Sequence, residues 1–304
     1  MAAGMIYTIG GSFWEFGGPD LDQAKLFVMI GTAEDHHSNP MKIALSKFKR
    51  AGGRFISINP VRTGYSAIAD EWIPIKPGTD GALFMALMHE LIRLEKYDAP
   101  FLKRFSNSAQ LVCMDPGPEE GLFLYDPDSD PLNTDLPHNK YIWDEKSQSA
   151  KPCFAHETTP ALVGEYVMGQ GPHQGKKVSP AFELLKRQVS ETTPEWAAAI
   201  TSIPAERIRK LAVEMADTAF GQEFKLPIQW TDSWGEKHES VTGRPVAFHA
   251  MRGLSAHSNG FQTTRGLAVL MSLLGTIDRP GGFRHKAPYP RQVPPNAKPP
   301  SSEN

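Results

Sequence analysis

The sequence predicts an α/β protein with a Rossmann-like parallel sheet domain, part of a second related α/β domain, and long irregular loops between them. Residues 21–97 alternate short apolar runs with amphipathic stretches, which is the pattern of a parallel sheet covered by helices. A second apolar run, followed by a loop and an amphipathic stretch, lies near residues 246–275. The two units show no evident sequence match to each other.

Composition is typical of a globular protein. The chain has 304 residues, 40% of them hydrophobic, and a net charge of −2. This length suits one large domain or two average ones, and the charge indicates neither a nucleic-acid nor a membrane-surface partner. No apolar run approaches the roughly 20 residues that span a bilayer.

Cys113 and Cys153 form no CxxC pair, so we predict two reduced thiols rather than a disulfide or metal framework.

The elements of the first unit follow from periodicity. A buried strand over 26–30 ends at Gly31, and a helix over about 39–51 is closed by two glycines. Further extended segments cover 54–60 and 71–75. A helix then begins after Thr79 or Asp80, either of which is a suitable N-cap. The expected apolar faces are Ile43, Leu45, Phe48 and Ala51 on the first helix, and Leu83, Leu87, Leu91 and Leu94 on the second.

The remainder of the chain has three parts. Residues 106–190 are rich in Pro, Asp and Gly, which predicts surface loops with a few short strands. Helices return at 192–200, where Thr193 is the expected cap, and at 203–219. We therefore divide the chain into a dinucleotide-binding α/β domain (1–105), a loop-rich connecting region (106–190), part of a second cofactor-binding α/β domain (191–285), and a proline-rich, disordered tail (286–304).

The loop after the first strand reads GTAEDHHSNP and admits three interpretations. Asp35, His36 and His37 suggest a metal site of the DHH phosphoesterase type, although the paired upstream aspartates of those enzymes are missing. A glycine at a strand end that leads into a helix N-terminus suggests a phosphate cradle. A solvated βα turn is the third interpretation.

The loops after the next strands favour the phosphate cradle. Asn59 and Arg62 follow the second strand, where a hydroxyl contact and a bidentate phosphate contact are expected. Gly78 and Asp80 follow the third, and a carboxylate is the natural acceptor for the paired N–H donors of guanine. A nicotinamide site is disfavoured, because the GxGxxG pattern and the acidic residue after the second strand are both missing.

Taken together, four segments resemble the catalytic subunit of the molybdopterin oxidoreductases of the dimethyl-sulfoxide-reductase type. They are PDLDQAKLFVMIGTAEDHHSNP, RFISINPVRTGYSAIADEWIPIKPGTDGAL, IPAERIRKLA and MRGLSAHSNGFQTTRGLAVLMSLLGTIDRPGG. The resemblance implies a bis(molybdopterin guanine dinucleotide) cofactor on molybdenum or tungsten. It also implies two-electron redox chemistry, usually oxygen-atom transfer, on a small-molecule substrate. Within the family the pattern is nearest to the sulfite dehydrogenase and the polysulfide or thiosulfate reductase branches, so the substrate expected is a sulfur oxyanion.

The resemblance also implies the site residues, which fall in four groups. The matching positions are Gly31, Thr32, Ala33, Glu34 and His37 in the first phosphate and pterin loop, Asn59, Pro60 and Arg62 after the second strand, Gly78 and Asp80 at the guanosine contact, and Arg252, Gly253, Leu254, His257 and Asn259 in a loop near the metal. No metal ligand is assigned, since the family's ligand position would lie upstream of Met1.

The sequence departs from the family pattern at both ends. The four-cysteine motif for a 4Fe-4S cluster and the C-terminal closing domain are missing, so we expect a fragment that is inactive alone. The resemblance implies that the partner is an iron–sulfur electron-transfer subunit, and it leaves room for a membrane anchor protein. A cytoplasmic or partner-mediated membrane location follows, with a periplasmic one still open. The alternatives are a stand-alone nucleotide-binding module without catalysis and a DHH-like metal phosphoesterase.

Overall fold

The computed structural model describes residues 1–10, 17–32, 40–62, 64–126, 140–153, 155, 157–232 and 235–285. Three of the predicted site residues, Ala33, Glu34 and His37, lie outside the described residues. So do Asp35 and His36 of the possible metal motif, and the proline-rich tail 286–304.

The first third of the chain forms the alternating unit that its periodicity predicts. Its elements are α1 (Ala2–Ile9), β1 (Gly17–Pro19), β2 (Leu26–Ile30), α2 (Pro40–Arg50), β3 (Arg54–Ile58), α3 (Tyr65–Ile68), β4 (Glu71–Ile73), α4 (Asp80–Arg93) and α5 (Ala99–Phe105). Strand β2 is buried along its whole length, as expected for a strand covered on both faces. Strands β3 and β4 are each two residues shorter than the predicted segments.

The apolar face of α2 differs from the prediction. Leu45 and Phe48 are buried, but Ile43 is 65% exposed and Ala51 lies beyond the helix end. The reason is geometric, because residues two apart on a helix point to nearly opposite sides. Helix α4 matches the prediction better, since Leu83, Leu87 and Leu91 are all buried.

The connecting region has more structure than its composition predicts. It contains β5 (Leu111–Cys113), β6 (Tyr141–Asp144), β7 (Ser149–Pro152), β8 (Tyr166–Val167), β9 (Lys177–Pro180) and α6 (Ala181–Val189). The strands pair antiparallel, β5 and β8 with β9 and β6 with β7. Trp143 stacks on Tyr166 at 4.3 Å within a small apolar core of this region. Helix α6 was not predicted, although it buries Phe182 and Val189.

The last part of the chain returns to long helices. Its elements are α7 (Pro194–Thr201), α8 (Ala205–Gly221), β10 (Phe224–Leu226), β11 (Trp230–Thr231), β12 (Lys237–His238), β13 (Val241–Gly243), β14 (Val246–Ala250), α9 (Arg252–Ser255), α10 (Gly260–Leu273) and β15 (Phe283–His285). The predicted cap of α7 is present, since the Thr193 hydroxyl accepts a hydrogen bond from the Trp196 amide at 3.3 Å.

A four-stranded parallel sheet in the order β14-β2-β3-β4 organises the molecule. Helices α4, α8 and α10 pack in the large core on one face of this sheet, and α2 packs over the other face. Strand β14 pairs with β2 from Val246 opposite Leu26 to Ala250 opposite Ile30. The sheet therefore joins segments that we assigned to two units, and the domain boundaries stay a prediction.

No helix among the described residues is long and apolar enough to cross a membrane.

Candidate cofactor-binding site

Four loops meet at one edge of the sheet. Because β14, β2, β3 and β4 run parallel, their carboxyl ends face the same edge. The loops that follow begin at Gly31, Asn59, Pro74 and Met251. Every described residue that the sequence predicts for the site lies in these connections or, for Asp80, at the first position of the helix that follows. In open α/β sheets ligands bind at this edge.

The first and fourth loops are in backbone contact. Gly31 has a φ of +61°, and a Cβ on it would lie 3.0 Å from the Leu254 amide nitrogen. A Cβ on Gly253 would lie 2.7 Å from the Gly31 carbonyl oxygen. The space left by the missing side chains is thus filled by the neighbouring loop. Leu254 itself is buried and anchors this contact, while Arg252 is exposed.

Asn59 joins the first and second loops. Its side chain is 4% exposed, and its Nδ2 donates to the Thr32 carbonyl at 2.8 Å. Its own backbone carbonyl accepts a hydrogen bond from the Trp72 indole nitrogen at 2.8 Å. We predicted a direct hydroxyl contact for Asn59. In this structure its amide nitrogen holds the buried Thr32 in place, and the hydroxyl contact stays a prediction.

Trp72 is a residue of the site that sequence reasoning missed. It lies in β4, and the Arg62 guanidinium lies over its ring at 6.0 Å from the centroid. The indole therefore orients both the Asn59 backbone and the Arg62 side chain. A signal was available, since an aromatic residue next to the carboxyl end of a strand lies close to the loops of that edge.

The third and fourth loops meet at Gly78. This glycine has a φ of +78°, and a Cβ on it would lie 3.1 Å from the His257 Nδ1 atom. The Asn259 amide donates to the Gly78 carbonyl at 3.3 Å. The predicted guanosine contact and the loop predicted to lie near the metal are therefore adjacent in space, although 181 residues separate Gly78 from Asn259.

Asp80 is the buried charge of the site. It is 6% exposed at the first position of α4, and its burial raises the pKa of its carboxyl group. A hydrogen bond from its own backbone amide and the electrostatic effect of the nearby His257 both lower this pKa, but burial is the larger effect. Thr79 is the N-cap residue, but its hydroxyl donates to the Lys76 carbonyl at 2.6 Å and does not cap the helix.

Three exposed cations surround this edge. Arg62, Lys76 and Arg252 are exposed, and within the part of the chain that the structure describes none of them forms an ion pair. Pro60 is exposed beside Arg62. Unpaired guanidinium and ammonium groups attract a pyrophosphate, and a buried carboxylate accepts paired N–H donors. The residues of this edge thus fit a ligand that carries both phosphate groups and hydrogen-bond donors.

The described residues show one group with the spacing of metal ligands, and it lies elsewhere. Asp232, Glu236 and His238 belong to the β11–β12 hairpin. The Arg104 guanidinium binds Asp232 at 2.8 Å and Glu236 at 2.7 Å. Because the Arg104 guanidinium already pairs with both carboxylates, this cluster is an ion-pair network.

Sequence comparisons with known proteins identify relatives of this chain. The chain is 60% identical over 301 residues to a sulfite dehydrogenase subunit of Allochromatium vinosum, and the match covers 99% of this chain and 31% of the relative. It is 29% identical to the probable dimethyl sulfoxide reductase chain YnfF of Escherichia coli, over 93% of this chain and 26% of the relative. The chain thus spans between a quarter and a third of the length of these relatives.

The solved structure of acetylene hydratase from Pelobacter acetylenicus has the same fold. The TM-score is 0.51 over 90% of this chain and 24% of that chain, with 17% sequence identity, a level that supports the fold alone. The predicted α/β class is confirmed.

One protein-family model matches almost the whole sequence. The molybdopterin oxidoreductase model matches residues 6–297, which confirms the resemblance inferred from the strand-end loops. Membership implies a molybdenum–molybdopterin cofactor. The chain belongs to the molybdopterin oxidoreductase family.

Proposed function

We propose that this chain is the dinucleotide-binding centre of the catalytic subunit of a molybdenum oxidoreductase. The observation that carries the proposal is the meeting of four strand-end loops at one sheet edge, with a buried carboxylate and three cations that pair with no carboxylate among the described residues. When bound, the cofactor supplies a redox-active metal for two-electron chemistry such as oxygen-atom transfer. The chain's own residues bind, orient and shield it.

Each residue has a role that follows from its contacts. Arg62, held over Trp72, and the exposed Arg252 neutralise phosphate charge. Asp80 accepts the paired N–H donors of guanine, which requires its carboxylate form, and the neighbouring His257 favours that form. We therefore propose the guanine dinucleotide form of the cofactor, with Ala33, Glu34 and His37 completing the first loop.

The substrate proposed is sulfite or a related sulfur oxyanion. Its support is the 60% identity to a protein named as one subunit of sulfite dehydrogenase. That name also supports an assembly of several chains, and we propose that one of them is an iron–sulfur electron-transfer subunit. These properties belong to the whole enzyme, of which this chain spans about a third.

Guanine selectivity tests the cofactor site directly. We expect the chain to bind guanosine diphosphate more tightly than adenosine diphosphate in a calorimetric titration, because adenine lacks the paired N–H donors that Asp80 accepts. Asp80→Asn should remove about 1–3 kcal/mol of guanine binding, the cost of leaving a buried partner unsatisfied, and reduce the preference. Asp217→Asn, an exposed aspartate on α8, is the matched control and should leave both affinities unchanged. Equal binding of both nucleotides by the wild type would contradict the guanine assignment.

A second measurement addresses the reaction. The complete enzyme, purified from a molybdenum-replete host, should contain molybdenum and release guanosine monophosphate on acid hydrolysis. It should also reduce an artificial electron acceptor when sulfite is added. An enzyme with both the metal and the nucleotide but no response to sulfite would remove the substrate proposal and leave the cofactor proposal intact.

A further inference from the structure

Two long helices begin side by side at the cofactor-binding edge. Helices α4 and α10 have 14 residues each, and the chain enters them from the carboxyl ends of β4 and β14. The Asn259 side chain, at the N-cap of α10, donates to the carbonyl of Gly78, two residues before α4. The starts of the two helices are therefore in contact, and the buried carboxyl group of Asp80 lies at this junction.

Thr263 lies at the end of the first turn of α10 and faces α4. A Cβ on Gly81, in the first turn of α4, would lie 3.1 Å from the Thr263 Oγ1 atom. The hydroxyl therefore rests against the α4 backbone. Only 4% of Thr263 is exposed. Because Gly81 follows Asp80 directly in sequence, the hydroxyl and the carboxyl group lie beside consecutive residues of one helix.

The Thr263 hydroxyl forms no hydrogen bond within the described parts of the chain. A threonine inside a helix commonly donates to the carbonyl four residues earlier. The neighbouring Thr264 does so, since its hydroxyl donates to the Gly260 carbonyl at 2.8 Å. The Thr263 oxygen has no such partner, and it is not fully enclosed by protein atoms. A nearly buried hydroxyl without a partner is a group that a ligand can satisfy.

The backbone amide of Gly81 is a second donor at the same place. The first amides of an α-helix have no partner inside the helix. Thr79, at the N-cap, uses its hydroxyl for the Lys76 carbonyl, and no described residue accepts a hydrogen bond from the Gly81 amide. The junction of α4 and α10 thus presents two unused donors next to one buried acceptor, the Asp80 carboxylate.

This arrangement is complementary to one edge of guanine. Along that edge guanine carries two neighbouring N–H donors and, beside them, the acceptor O6. Asp80 serves the donors, which leaves O6 in need of a donor from the protein. Adenine has an amino group where guanine has O6, and a backbone amide cannot accept a hydrogen bond from it.

We propose that Thr263 determines base specificity at this site, because its hydroxyl donates, together with the Gly81 amide, to the O6 atom of a bound guanine. The inference rests on the guanine assignment made under the proposed function. It adds to Asp80 a second determinant that comes from a different helix.

Titration calorimetry of the full chain with nucleoside diphosphates tests the proposal. Thr263→Val removes the hydroxyl at nearly constant volume and should weaken the binding of guanosine diphosphate about fivefold, as expected for one lost hydrogen bond. The affinity for adenosine diphosphate should not change. Thr263→Ser keeps the hydroxyl and should keep the wild-type affinity. Thr218→Val is the matched control, since Thr218 is a buried threonine of α8 whose hydroxyl donates to the Glu214 carbonyl.

A change in the ligand gives a check that does not depend on the stability of the variants. The diphosphate of 6-thioguanosine keeps both N–H donors but has sulfur, a weaker acceptor, in place of O6. The wild type should bind it about fivefold more weakly than guanosine diphosphate. In Thr263→Val this difference should shrink to about twofold, because only the Gly81 amide remains as a donor.

The outcomes separate this inference from the guanine assignment. If the wild type prefers guanosine to adenosine diphosphate but Thr263→Val binds both as the wild type does, the role of Thr263 is overturned and the guanine assignment stands. An equal loss of affinity for both nucleotides in Thr263→Val would also overturn it, since the hydroxyl would then support the fold of the site. If the wild type binds both nucleotides equally, the guanine assignment fails and this inference fails with it.

Discussion

At the scale of single residues, the candidate site depends on side chains that hold other groups in place. Asn59 donates to Thr32, and Trp72 both binds the Asn59 carbonyl and lies under Arg62. The direct cofactor contact predicted for Asn59 stays a prediction, and Trp72 was missed. Residue type and position predicted that these loops matter. The hydrogen-bond partner of each of these side chains depends on how closely the loops approach one another. No local sequence pattern encodes that distance.

His249 leads to a prediction about pH. It lies in β14 opposite Met29, and burial lowers the pKa of its imidazole to about 4. The ordinary value in an unfolded chain is about 6.5. The unfolded state therefore takes up a proton at a higher pH than the folded state does. The stability contributed by neutral His249 is complete above about pH 6.5 and is lost as the pH falls toward 4.

We expect the free energy of unfolding to fall by roughly 2 kcal/mol from this residue between pH 7.5 and pH 5. Urea unfolding at the two pH values measures it, and His249→Leu should lose that part of the pH dependence. An NMR titration of the His249 ring gives an independent check. An inflection near the unperturbed value of about 6.5 would contradict the prediction.

At the scale of secondary-structure elements, helix periodicity was more reliable than helix capping. Helices α7 and α8 occur where predicted, and Thr193 caps α7 through its side chain. At α4 the Thr79 hydroxyl binds Lys76 instead, because the preceding turn brings that carbonyl within reach. Both threonines suit an N-cap by type, so only the path of the preceding chain distinguishes them.

The turn before α4 gives a second prediction. Gly78 and Gly175 both have positive φ, +78° and +84°, but only a Cβ at Gly78 would meet another group, the His257 ring at 3.1 Å. Gly175→Ala should therefore cost about 1 kcal/mol for backbone strain alone, and Gly78→Ala should cost about 1 kcal/mol more.

Urea unfolding of both variants measures this difference. The background His257→Ala should abolish the additional cost at Gly78 and leave the cost at Gly175 unchanged. If both glycine variants lose the same stability in the wild-type background, the contact between the third and fourth loops is not as tight as the structure indicates.

At the scale of the whole molecule, an ion-pair network joins the sheet to a helix distant in sequence. Glu71 of β4 binds Arg54 of β3 at 2.6 Å, and it binds Arg207 of α8 at 2.5 and 2.9 Å. Glu214 of α8 also pairs with Arg54, and it lies 3.6 Å from Arg207. A network of three partly buried charges and the exposed Arg54 contributes more than an isolated surface pair does.

Glu71→Gln should therefore lower the free energy of unfolding by about 1 kcal/mol, and 0.5 M salt should reduce the effect, as expected from charge screening. Glu206→Gln is the control, because the ion pair of Glu206 among the described residues is an exposed one with Lys210 at 3.9 Å, and the substitution should change stability by less than about 0.3 kcal/mol. An equal effect of both substitutions would show that the network adds nothing to its separate pairs.

Periodicity and strand-end chemistry were sufficient to predict the parallel sheet, most of its helices and the family, because these features are local in sequence. The tertiary structure decided the rest. Strand β14 completes the sheet beside β2, and His257 and Asn259 meet Gly78 across 179 and 181 residues. Such contacts depend on which apolar faces pack together and on how closely two glycine loops approach. These are properties of the folded chain as a whole, and no single segment encodes them.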